Sequence, residues 1–274
     1  MKRISSISFL HYVKLVVRSC VFLAMVAVYV HGRVLGDIDP FGFLRELTVV
    51  HCVIFGIFAV EVMLRFFPSR LESMGCQKQF GRNYIPTVES ANGRRRLGTW
   101  RSTLAVFLSW IALNGVLAVL YYTGVIDAGI LLLVALFYSV ADMICILFFC
   151  PFQTWFMKNK CCGSCRIYNW DYAMMFTPLI FVPHPLARAL CVLGGALLLV
   201  WELAVLIHPE RFDVVTNAAL RCANCPERLC HHKRQLRSFL RRNGERFRVK
   251  ESIALLAGRL TKRKGKKDNN SDEE

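Results

Sequence analysis

Carboxylates are scarce in this chain of 274 residues: it carries 19 Asp+Glu against 35 Lys+Arg, a formal net charge of +16. No two acids stand at a spacing suited to paired acid–base catalysis. The sequence also has no glycine-rich phosphate loop, no nucleophile elbow and no His-Glu-x-x-His. Phosphoryl transfer, serine hydrolysis and zinc-peptidase chemistry therefore have no motif to rest on. Long polar stretches are lacking as well. Charged residues make up 20% of the chain and hydrophobic ones 55%, which leaves no room for a second large soluble catalytic domain. The basic residues fall in loops between apolar runs, so the polyanion they face is the anionic inner leaflet of a membrane, and no nucleic acid is expected.

What the chain does have is apolar length. Runs near 13–31, 47–67, 103–123, 126–149 and 186–207 each approach or exceed the ~20 residues that cross a bilayer. Each is expected to be helical, because in lipid a lone segment must satisfy its own backbone hydrogen bonds. The first run continues to about Val30 with no small-residue cleavage site, which reads as an uncleaved span rather than a signal peptide. A sixth segment, 172–183, is apolar but short and broken by Pro178 and Pro183. The fold class is an all-α, multi-pass transmembrane bundle of five to six spans with a small cytoplasmic cysteine-rich module.

The Lys/Arg bias sets the orientation. Lys14, Arg18, the arginine-rich loop after the second run, and Lys158, Lys160 and Arg166 all mark inner segments, whereas the turn 123–127 has no basic residue. The tail after His208 is the most basic part of the chain, and it reaches the inside only if 168–183 also crosses. Six crossings place both termini on the cytoplasmic side of a plasma membrane. The chain then divides into a four-span bundle, 1–149, with a basic inner loop at 68–102; a first cysteine-rich loop, 150–171; a broken helix plus final span, 172–208; and a second cysteine-rich segment, 209–235. A basic amphipathic tail, 236–260, follows, with Leu236, Phe239 and Leu240 on one face, and a disordered polar terminus ends the chain at 261–274. Inner-leaflet lipids and a membrane-protein partner are the expected contacts.

Two cysteine clusters flank these runs. Cys150, Cys161, Cys162 and Cys165 form the first; Cys222, Cys225 and Cys230, followed by His231 and His232, form the second. In a reducing compartment such clusters serve as ligands rather than disulfides. C-x-x-C spacing lets a tight turn aim two thiolates at one ion, so Cys162 and Cys165 with Cys222 and Cys225 would complete a closed tetrahedral zinc site. Cys150, Cys161, Cys230 and His231 would suffice for a second. An iron–sulfur cluster for electron transfer is the alternative on the same atoms, although the spacing follows no standard ferredoxin pattern. The order Cys230-His231-His232 is not the Asp-His-His-Cys signature of membrane palmitoyltransferases, and that activity is not implied. Enzymatic function is unassigned, and a scaffold or accessory subunit is the reading.

Ionisable residues inside the runs are the remaining candidates. Glu61 and Arg65 lie one helical turn apart, as an intrahelical ion pair would, with the arginine reaching to the interface. Asp142 sits past the middle of the fourth run and needs a partner or a proton. Arg65, His51 and Asn114 are its expected neighbours, and a small ion- or proton-coupled transporter is the function it would suit.

Overall fold

The computed structural model describes residues 6–35, 49–68, 74–88, 100–158 and 165–224. The tail 236–260 and the polar terminus 261–274 lie outside them. Among the described residues the chain is mainly helical and forms no strand. The helices are α1 (Ser6–Val34), α2 (Val49–Leu64), the short α3 (Met74–Gln77), α4 (Trp100–Tyr122), α5 (Ala128–Leu147), α6 (Asp171–Phe176) and α7 (Pro185–Ile207). Four are long and apolar enough to cross a membrane: Phe9–Val34 within α1, α4, α5 and α7. The apolar part of α2, Cys52–Leu64, is shorter.

The surfaces of these helices fit a membrane location. On α4 only the stripe Thr103, Val106, Trp110 and Asn114 is buried. Phe107, Leu108, Ile111, Val116 and Val119 are each at least 45% exposed, a surface costly in water and ordinary in hydrocarbon. Helix α7 likewise buries one stripe, Ala187, Leu190, Gly194, Leu197, Trp201 and Val205.

Side-chain contacts fix the relative directions of the segments. Tyr12 meets Phe148, Phe22 meets Phe137 and Tyr29 Oη donates to Asp127, so α1 and α5 run antiparallel. A tight turn containing Gly124 in the left-handed region (φ 74°) joins α4 to α5, and Asp127 caps α5 by accepting from the Ile130 amide at 2.8 Å.

The proline-broken segment is helical in three consecutive pieces: a 3-10 stretch (Arg166–Trp170), α6, and a second 3-10 stretch (Thr177–Phe181). Pro178 lies in the first turn of the last piece, where its missing N–H costs little. At rises of ~2.0 Å and ~1.5 Å per residue the pieces would cover about 29 Å laid end to end. They run alongside α4 in the same direction. Phe107 meets Trp170, Trp110 Nε1 donates to Thr177 Oγ1 at 3.2 Å, and Tyr122 meets Phe181.

Helices α2 and α7 run the opposite way against this segment. Arg65 pairs with Asp171 while Phe58 meets Phe176. Glu202 sits beside Arg166 and Trp170, and the Cys191 thiol donates to the Phe176 carbonyl. Gly194 lets the α7 backbone approach closely: a Cβ there would lie 3.0 Å from the Phe176 ring and 3.3 Å from the Tyr172 carbonyl. Six segments therefore alternate in direction. The start of α1, the end of α2, the start of α4, the end of α5, Arg166 and the end of α7 share one end, called here the basic end.

Candidate functional site

Three polar assemblies stand out in this bundle, and the first is a charge network near the basic end. Helix α1 carries Lys14 and Arg18 one turn apart, on one face. Arg18 Nη2 donates to Glu61 of α2 at 2.6 Å; its Nη1 donates to the Ser139 carbonyl at 3.1 Å and reaches Asp142 of α5 at 3.5 Å. Lys14 holds the other oxygen of Glu61 at 2.9 Å, and Tyr172 Oη donates to Glu61 at 3.3 Å. The Arg18 side chain is 9% exposed and lies over the Phe58 ring. One guanidinium thus joins three helices through charge-assisted bonds.

The neighbouring layer is Arg65 with Asp171. The pair spans 2.5 Å, with side chains 3% and 8% exposed, and the guanidinium lies over the Tyr168 and Tyr172 rings. A third pair, Arg166 with Glu202, closes the layer beneath, and Trp170 Nε1 donates to the second Glu202 oxygen at 2.7 Å. In these contacts Lys14, Arg18, Arg65 and Arg166 meet Glu61, Asp142, Asp171 and Glu202. The charges balance, which is what a low-dielectric setting demands.

The sequence-predicted polar residues are therefore placed as follows. Glu61 takes its cations from α1, and Arg65, expected at the interface, turns inward to Asp171. Asp142 is held by Arg18. Asn114 bonds to the Trp110 carbonyl of its own helix at 3.0 Å, and the His51 side chain lies outside the described residues. Arg18, read from sequence only as a flanking charge, is the centre of the network. Its signal was the Lys14/Arg18 pair at i, i+4 inside an apolar helix, matched by Glu61/Arg65 at the same spacing.

The second assembly is built around Asn217, which is fully buried. Its Oδ1 accepts from the Ile85 and Ala219 amides at 3.3 and 3.0 Å. Its Nδ2 donates to the Lys78 and Arg211 carbonyls at 3.2 and 2.8 Å. Backbone bonds from Thr87 to Thr216 and from Ala218 to Ile85 complete the seam. One residue further along the same stretch, Gln79 Oε1 accepts from Asn169 at 2.6 Å. The 74–88 stretch thus ties down both the start of the broken segment and the chain that follows α7.

The third assembly is the cysteines. Cys165 is 4% exposed and packs with Val106, Met157, Ile167 and Trp170. Cys150 Sγ accepts the Gln153 amide at 3.4 Å. Of Cys222 only the backbone is described, in the 3-10 turn Cys222–Asn224. Cys161, Cys162, Cys225, Cys230 and His231 lie outside the described residues. Among the described residues no group of three His, Cys, Asp or Glu is placed to hold a metal. Cys76 is fully buried in the main core.

No family model, curated protein or solved structure matches this chain.

Proposed function

We propose that this chain is a six-pass integral membrane protein of the plasma membrane with both termini cytoplasmic. It acts as a scaffold or accessory subunit, and its inner face carries a structural zinc site built from the two cysteine segments. The alternating directions of six segments support the crossing number, and the basic end corresponds to the cytoplasmic face by the Lys/Arg bias.

One observation carries the zinc reading. Asn169, four residues after Cys165, and Asn217, five residues before Cys222, are bonded to adjacent residues, Gln79 and Lys78. The flanks of both C-x-x-C pairs are thus tethered to one spot, as a four-thiolate site shared between the segments requires. Cys162, Cys165, Cys222 and Cys225 are the proposed ligands, with Cys150, Cys161, Cys230 and His231 available for a second ion. Such a site contributes directly to folding. The intramembrane network supports a structural role over transport. Glu61 and Asp142 both face Arg18, which ties α1, α2 and α5 together as an interhelical ion-pair cluster.

Cys165→Ser and Cys225→Ser are expected each to remove the shared ion, and the double variant should lose little more metal or stability than the worse single one. Metal content and thermal stability of the purified variants check this. Losses that simply add would mean that the two pairs do not share an ion.

A further inference from the structure

The buried polar atoms at the basic end include several donors left over. Arg166 is 7% exposed, yet only its Nη2 has a partner, Glu202; Nε and Nη1 have none. Gln77 Nε2 on α3, which packs against the Arg166–Trp170 stretch, is likewise buried and unpartnered, as is Trp201 Nε1 on the residue before Glu202. An orphaned N–H in a dry site costs about 1–3 kcal/mol, more when charged, so a buried guanidinium with two unpartnered N–H positions describes a place for an anion.

The level of this place narrows the anion. The Arg166 guanidinium lies 6.0 Å from the ring of Trp100, the first residue of α4. Trp100 and Trp155 are 59% and 65% exposed at this end, as interfacial tryptophans are at headgroup depth. A guanidinium at that depth, between transmembrane segments on the inner side, fits a phosphate through paired N–H donors. We infer that the Arg166 guanidinium, through its unpartnered Nε and Nη1, binds the phosphate group of an inner-leaflet anionic phospholipid. This rests on the membrane placement and is independent of the zinc site. Glu202 competes for the same guanidinium and sets the strength of binding.

The test is native mass spectrometry of the full chain in detergent, equilibrated with phosphatidylglycerol, with phosphatidylcholine, or with phosphatidylglycerol plus millimolar inorganic phosphate. Wild type is expected to retain phosphatidylglycerol over phosphatidylcholine. Arg166→Gln should lower that retention about tenfold, the scale of a lost charge-assisted pair. Glu202→Gln, which keeps an acceptor for Trp170 but removes the competing charge, should raise it, a gain that misfolding cannot imitate. Displacement by inorganic phosphate in an Arg166-dependent manner would keep the phosphate site and make its source the free ion. Equal retention of the two lipids, or retention unchanged in both variants, would overturn the proposal.

Discussion

Arg18→Leu is expected to destabilise the bundle by about 3–5 kcal/mol, the usual cost of removing one partner from a buried charge pair. The reason lies with the carboxylates left behind rather than with the lost arginine. Glu61 retains Lys14 at 2.9 Å. Asp142 has Arg18 as its one ion-pair partner among the described residues, and it would lose the one cation within ion-pair reach. Asp142→Asn in the Arg18→Leu background should therefore restore most of the stability, whereas Glu61→Gln should not. Thermal unfolding of detergent-solubilised protein, followed by size-exclusion profile, reads all three variants. An Arg18→Leu protein as stable as wild type, or rescue by Glu61→Gln alone, would show that the network does not hold the helices as described.

Asn217→Ala is expected to have an effect of the same order at the basic end. It strips partners from two amides, Ile85 and Ala219, and two carbonyls, Lys78 and Arg211, all meeting one buried side chain. At about 1–3 kcal/mol for each buried group left unsatisfied, and with partial relaxation, the loss should be on the order of 3–5 kcal/mol. Asn217→Asp should do no better despite its equal size, because an oxygen would replace the amide nitrogen and face two carbonyls. If the two cysteine segments share zinc, both variants should also lower the metal content, since one flank of the site is released. Unchanged stability in Asn217→Asp would mean that the seam between 74–88 and 208–221 forms without this residue.

The apolar helices were legible because length and hydropathy are local properties. The runs near 103–123, 126–149 and 186–207 became α4, α5 and α7 with ends shifted by at most three residues. The broken character of 172–183 was legible from Pro178 and Pro183, and the crossing was read over 168–183, two residues short of its 3-10 start at Arg166. Asp142 announced itself as a carboxylate in an apolar run, yet its partner did not. Arg18 lies 124 positions away, and an arginine near the start of a span reads equally well as a topological flank. Asn217 had no local signature at all, because two of its bonds reach residues 132 and 139 positions distant. The cysteine pairs show the reverse case: spacing names the chemistry, while ligation depends on two segments meeting in space.

Metal analysis with a visible spectrum, on anaerobically purified full-length protein, bears most directly on the zinc reading. The account predicts about one to two zinc ions per chain, following four-ligand stoichiometry, and no visible absorption. Iron with acid-labile sulfide and a colour bleached by dithionite, or no metal in protein shown to be folded, would contradict it.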